Sequence, residues 1–227
     1  MLRMRWEAVS FLHWAYDPDV VAPLVPRGLE LDQWDGRAWV GIVSFVMAGV
    51  RPPLVPPVPG LSTFPEINVR TYVRGPDGRD GLLFLTLEAS RLPTLLARPT
   101  IGIRYAWARM RLTRRPGSVE YRTQRRWPRR PAAVSQHTVE IGTPIDAAKL
   151  TPFDHYLTGR WRAYSRRWGR LFSTPVEHQP WPLQHATVPE LVDGLVAACG
   201  LPAPDGEPVV HYAPAVDVRL GAPRFVS

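Results

Sequence analysis

Proline constrains this chain more than any other residue. The 227 residues contain 26 of them, spread along the whole length. Each lacks a backbone N–H and holds φ near one value, so it breaks helix interiors and central strands and suits strand ends, edges and turns. A chain punctuated this often is predicted to form short strands joined by fixed loops, with few and small helices. Six prolines fall within residues 51–65, where no periodicity appears. That stretch is expected to be a long loop, and long loops in compact domains are often functional, here as a lid over a pocket.

Strand signals fill the intervals. Met4 to Tyr16 reads as a strand, and Asp17-Pro18-Asp19 opens a short helix with Asp17 as N-cap and Pro18 at N1. Ala38 to Val50 is β-rich and almost wholly apolar, the pattern of a central strand covered on both faces. Glu66 to Arg74 and Leu82 to Ser90 flank a turn at Pro76-Asp77-Gly78. Leu92 to Arg98 is expected to be one helical turn stopped by Pro99. Arg104 to Thr113 and Val119 to Arg126 pair as a hairpin around Arg115-Pro116-Gly117-Ser118. Ala132 to Ile141 is a further strand, Thr151-Pro152-Phe153-Asp154 starts a capped helix, and Trp161 to His178 holds two strands. Thr187-Val188-Pro189-Glu190 has the form of a capping box and predicts a helix ending at Cys199, with Gly200 at C′. Strands around Val209 to Tyr212 and Val216 to Leu220 close the chain. The sum is about ten short strands. Antiparallel strands in that number close into a barrel or split into packed sheets. No internal repeat or linker divides residues 1–227, so one domain is expected.

Composition narrows the function classes. Cys199 is the only cysteine, which excludes an internal disulfide and a cysteine-cluster metal site. The six histidines show no ligand spacing and no nucleotide fingerprint is present, so neither metal nor cofactor is expected. No apolar run reaches about 18 residues and the first residues carry no apolar leader, so the expectation is a cytoplasmic protein with no membrane contact. Net charge is +8, from 28 Lys plus Arg against 20 Asp plus Glu, and Lys149 is the only lysine. Seven arginines crowd positions 114–130. They invite a nucleic-acid or acidic-protein partner, yet only Tyr121 and Trp127 interleave them, and a solvated hairpin is the simpler reading.

No strong catalytic signature stands in the chain, so the candidates are polar residues where strands want apolar ones. Along Glu66-Ile67-Asn68-Val69-Arg70-Thr71-Tyr72-Val73, alternation puts Glu66, Asn68, Arg70 and Tyr72 on one face. That face is either half-exposed or turned into a cavity, where Glu66 and Arg70 would bind and polarise a small ligand. Arg104 and Tyr105 alternate in the next cluster, and register decides which points inward. His178 beside Trp181 is a candidate proton carrier or a structural histidine.

These phrases also carry a resemblance. Phe11-Leu12-His13-Trp14, Phe64-Pro65-Glu66-Ile67-Asn68-Val69-Arg70-Thr71-Tyr72, Tyr105-Ala106-Trp107-Ala108-Arg109-Met110 and His178-Gln179-Pro180-Trp181-Pro182-Leu183 resemble the bacterial YqjF-like proteins, a domain-of-unknown-function family similar in fold to acetoacetate decarboxylase. The resemblance implies a mainly β (α+β) fold, an antiparallel closed or cone-like β-barrel with small peripheral helices and a largely apolar central cavity. In the decarboxylases a cavity lysine forms an imine with a β-keto acid. That place falls at Arg104-Tyr105 here, and neither residue can form an imine. Glu66 matches a cavity glutamate.

The combined expectation is a site for a small oxo-acid or enolisable carbonyl compound. Glu66, Arg104, Tyr105 and His178 would do the chemistry, and His13, Trp14, Asn68, Arg70, Tyr72, Trp107, Arg109 and Trp181 would bind the ligand. A lyase, cyclase or isomerase without an imine is one outcome. A non-catalytic binding module and an arginine-rich interaction protein are the rivals.

Overall fold

The structure is a computed structural model that describes residues 1–91 and 105–226. The expected turn at Leu92 to Arg98, and Arg104, lie outside the described residues. Fourteen strands join in one hydrogen-bonded sheet: β1 (Leu2–Tyr16), β2 (Glu30–Leu31), β3 (Gln33–Trp34), β4 (Arg37–Arg51), β5 (Phe64–Arg74), β6 (Asp80–Ala89), β7 (Tyr105–Arg115), β8 (Ser118–Trp127), β9 (Val134–Pro144), β10 (Arg162–Arg167), β11 (Arg170–His178), β12 (Gln184–Asp193), β13 (Val209–Leu220) and β14 (Arg224–Val226). Among the described residues three short α-helices accompany them: α1 (Pro18–Val21), α2 (Pro152–Thr158) and α3 (Leu195–Ala198).

The sheet closes on itself. Its path runs β6-β7-β8-β9-β12-β13-β1-β4-β5, and β5 pairs back onto β6. A second connection, β6-β10-β11-β13, crosses the other side of the same central strands. Strands β1, β4, β5 and β6 are therefore covered on both faces. On one face Leu12, Val40, Ile42, Ile67 and Val69 pack with Tyr121 and Val139 of β8 and β9. On the other, Phe11, Val43, Phe45 and Met47 pack with Leu87, Val176 and Val218. This double cover is why Ala38 to Val50 is apolar on both alternating faces, as its sequence predicts. Each such large side chain contributes about 1.5–3 kcal/mol by leaving water.

Two expectations about strands need correcting. The sheet is mixed rather than antiparallel, because β6 runs parallel to both β7 and β10. The strands are also more numerous and longer than the prolines suggest, β1 and β4 reaching 15 residues each. Prolines enter strands where no ladder donor is needed. Pro189 sits in the register break of β12 between Thr187 and Glu190. Pro214 is exposed between Ala213 and Ala215, so β13 runs unbroken where two strands were expected.

The Thr187–Glu190 pattern does not cap a helix. Those residues belong to β12, whose backbone groups pair with β9. The helix that follows is the short α3, and its first donors, Leu195 N and Val196 N, are met by the Asp193 carboxylate at 3.1 and 3.0 Å. Its end is as predicted, with Gly200 at φ +90°. The capped start at Thr151 also forms: Asp154 N donates to Thr151 Oγ1 and Thr151 N to Asp154 Oδ2.

The arginine-rich hairpin, β7 with β8, is less solvated than expected. Arg114 meets Glu7 at 3.0 Å, and Glu120 holds Arg122 at 2.6 Å. Arg125 is buried against the fully buried Glu88 and also donates to Thr86 Oγ1. Removing one member of a buried pair strands the other charge. Arg125→Met is expected to lower the unfolding free energy by about 3–5 kcal/mol in urea titrations, and Glu88→Leu/Arg125→Met to lose less.

Candidate functional site

The polar face of β5 is the centre of the site. Glu66, Asn68, Arg70 and Tyr72 share one face, as alternation predicts, and all four are buried, Glu66 to 1% exposure and Arg70 to 6%. The first three line an enclosed cavity of about 100 Å³ with Tyr105, His178 and Trp181. Its walls are otherwise mainly apolar, with Phe11, Phe45 and Phe84 among them. That volume is roughly three waters' worth and suits a small organic molecule. None of residues 52–63 lines it, so the proline-rich loop expected as a lid does not form its wall.

Burial decides the protonation of each group. Glu66 is pushed up to about 8 by loss of hydration, and the hydrogen bond donated by the Tyr105 hydroxyl to Oε2 at 3.4 Å offsets only part of that. At pH 7 it is a neutral carboxylic acid. Tyr105 is held well above the usual phenol range by burial and by Glu66. Arg70 donates Nη2 to the Leu157 carbonyl at 3.4 Å and lies 5.5 Å from the Phe11 ring centre. No carboxylate pairs with it among the described residues, and its Nε has no partner. Asn68 Oδ1, two residues away on the same face, is also unpartnered.

A second layer holds this face in place. The Tyr72 hydroxyl lies 2.6 Å from the Leu157 carbonyl and 2.7 Å from His13 Nε2. A carbonyl only accepts, so the phenol donates to Leu157 and His13 donates from Nε2. Burial, then Arg70, then His211 keep His13 well below the ordinary imidazole range, hence neutral. The ring fits because residue 41 is glycine: a Cβ there would lie 2.5 Å from His13 Cδ2. The end of α2 thus supplies carbonyls to the site, Leu157 to Arg70 and Tyr72, and Thr158 to Trp181 Nε1 at 2.9 Å.

His178, at the end of β11, donates Nδ1–H to the Gln179 carbonyl at 2.6 Å, which leaves Nε2 as the ring's acceptor. Burial lowers its pKa. Its ring packs against Trp161 and Trp181 at 4.6 and 4.5 Å between centres.

Five expected ligand contacts do not line this cavity: His13 and Tyr72 stand in the layer behind it, and Trp14, Trp107 and Arg109 lie elsewhere. Trp14 follows His13 on a strand, so it points to the opposite face; it packs in the other core and donates Nε1 to the Gly206 carbonyl at 3.2 Å. Trp107 is half-buried and Arg109 exposed, both away from the cavity wall. Arg160 is the charged wall residue that sequence reasoning missed, along with the hydroxyl-bearing Thr158 and Thr174. It lies beside Gly159 in a loop with no periodic signal, and tertiary structure brings it onto Asp32 and Asp80 at 3.0 and 2.6 Å and over the Tyr72 ring. The single lysine, Lys149, is exposed in a 3₁₀ turn (Ala147–Lys149) and does not line this cavity.

Comparison with known proteins gives the family and the fold. The profile of DUF2071, a family of uncharacterized conserved proteins, matches residues 3–217. The chain belongs to the DUF2071 family. A relative, the uncharacterized protein YqjF of Bacillus subtilis (strain 168), is 33% identical over 219 residues, covering 96% of this chain and 89% of YqjF. Among solved structures, the enduracididine biosynthesis enzyme MppR, in complex with the condensation product of pyruvate and imidazole 4-carboxaldehyde, superposes with a TM-score of 0.71 at 16% identity, covering 100% of this chain and 90% of MppR. An acetoacetate decarboxylase-like enzyme from Sphingomonas wittichii RW1 gives 0.69 at 14% identity, covering 100% and 92%. Acetoacetate decarboxylase from Legionella pneumophila gives 0.68 at 13% identity, covering 100% and 87%. The DUF2071 chain thus has an acetoacetate decarboxylase-like fold.

The raised Glu66 pKa makes a stability prediction. The unfolded chain releases this proton near pH 4.5 and the folded chain at about 8, so folding becomes less favourable as pH rises between them. Glu66→Gln is expected to stabilise the protein by about 3 kcal/mol at pH 7 and to be neutral at pH 4, as read from denaturant midpoints at the two pH values.

Proposed function

We propose that this protein binds a small carboxylate-bearing carbonyl compound, an oxo-acid, in the β5 cavity and acts on it without an imine. The observation that carries this reading is the buried Arg70 guanidinium, which faces the cavity with no carboxylate of its own. A buried, unpaired cation is strongly disfavoured unless a ligand supplies the counter-charge. Glu66 does not, because it is neutral at pH 7. A ligand carboxylate does, and arginine's fork suits it. The likeness to MppR, whose complexes include one with pyruvate, supports the same ligand class.

The proton chemistry follows from the two unlike groups. Glu66 carries a proton and donates it to the carbonyl oxygen. Neutral His178 accepts the proton leaving the adjacent carbon at Nε2. The C–H pair becomes the new C=C bond and the carbonyl becomes an enol; reversal at a different atom completes an isomerisation with no net gain of protons. Tyr105 holds the Glu66 carboxyl in place, and Asn68 meets a donor on the ligand. A lyase or cyclisation step passing through the same enol is equally served. An imine route lacks its amine, since Lys149 is the only lysine and does not line the cavity.

Calorimetric titration with pyruvate and with acetone tests the binding. Pyruvate is expected to bind wild type and to weaken by about tenfold or more in Arg70→Met, with acetone weaker throughout. Equal pyruvate affinity in Arg70→Met would refute the carboxylate role. Deuterium uptake into the pyruvate methyl group in D₂O, lost in Glu66→Gln, reports the chemistry; binding without uptake identifies a non-catalytic module.

A further inference from the structure

A second hollow lies outside the cavity, an open cleft of about 770 Å³ lined by Arg3, Arg5, Arg51, Arg219, Glu177 and His178, among others. Its arginines are in register. Arg3 on β1 is the direct cross-strand partner of Arg219 on β13 and of Arg51 on β4. Directly opposed residues project from the same face, so three guanidinium stems stand side by side across three adjacent strands. Strands lie about 4.8 Å apart, which spreads the row over roughly 10 Å. Like charges placed directly opposite destabilise a sheet.

Among the described residues Glu177 stands opposite Arg219 on β11, yet it forms no salt bridge with any arginine of the row. Arg5 beside it is matched by Asp217 at 3.3 Å and Glu7 at 3.9 Å. Arg51 donates to the Gly49 carbonyl at 2.9 Å, and that contact carries no counter-charge. Among the described residues no carboxylate lies in salt-bridge range of Arg3, Arg51 or Arg219. The like-charged hairpin pair Arg111 and Arg122 differs, because Glu120 sits against Arg122 at 2.6 Å.

We propose that this cleft is a second, outer oxyanion site, which takes a small polyanion with charges spread along its length, such as an oligophosphate or tricarboxylate group. One carboxylate or one orthophosphate spans too little of the row to meet all three forks, whereas a linear triphosphate or a citrate reaches across it. The concave wall favours a compact ligand. Glu177, the partner of Arg219 on the β11 side, bounds the row at one end. The outer site is separate from the oxo-acid reading of the cavity, although His178 lines both hollows and makes them neighbours.

The test uses the intact chain at low salt with tripolyphosphate, citrate and orthophosphate as probes, read by calorimetry. Tripolyphosphate or citrate is expected to bind wild type more tightly than orthophosphate, and the stronger of the two names the source chemistry. Arg3→Gln/Arg219→Gln is expected to weaken that binding by about tenfold or more. Arg109→Gln/Arg111→Gln removes the same charge from an exposed face elsewhere and is expected to change it less than about twofold, since screening weakens distant charges. Arg70→Met is expected to leave it unchanged, which separates this site from the inner one. An equal loss in the Arg109/Arg111 control would overturn the proposal, as the effect would then be net charge alone. Tighter binding of a single-stranded oligonucleotide than of tripolyphosphate would overturn the small-ligand assignment. The ligand-free Arg3→Gln/Arg219→Gln protein is expected to melt no lower than wild type; a clear drop would remove the premise of an unrelieved row.

Discussion

Everything at the candidate site depends on one constraint: the middle stretches of the four strands β1, β4, β5 and β6 have no solvent face. In an ordinary half-exposed sheet, Glu66, Asn68 and Arg70 would point into water and mean little. Here the β10–β11 connection closes over them. Polar groups that lose water must find partners or change state. Glu66 changes state and keeps its proton, Tyr72 finds the Leu157 carbonyl, and Arg70 is left with a charge and a void.

The same cover explains how the second layer is built. His13 can lie flat against β4 only because Gly41 leaves room, and His13 in turn fixes Tyr72. Helix α2 is short, yet its capping box at Thr151 and Asp154 places its last carbonyls at the cavity wall. Two cations, Arg70 and Arg160, enter this region on different terms. Arg160 brings two aspartates and belongs to the framework. Arg70 brings none, and that difference separates a structural arginine from a binding one.

Arginine as a class reads differently once positions are known. The hairpin arginines look like a partner surface in one dimension, but Glu7, Glu88 and Glu120 reach four of them in three dimensions. The arginines at positions 3, 51 and 219 are scattered along the chain and attract no notice there. Strand pairing brings them into one row.

Much of the site was legible before any tertiary information. The alternation along residues 66–72 assigns four polar side chains to one face because successive strand residues point opposite ways. The apolar run at Ala38 to Val50 declares a strand covered twice, and the single lysine leaves Lys149 as the one lysine amine for an imine, a route that its place outside the cavity lining then removes. Tertiary structure decided the rest. Alternation is silent on which face will be enclosed, so Trp14 was grouped with His13 although neighbours on a strand diverge. Local chemistry at Thr187 to Glu190 favours a helix cap, and pairing with β9, far away in sequence, made it a strand. The lack of a counter-ion for Arg70 among the described residues is a fact about distances between remote residues, and no reading of adjacent ones contains it.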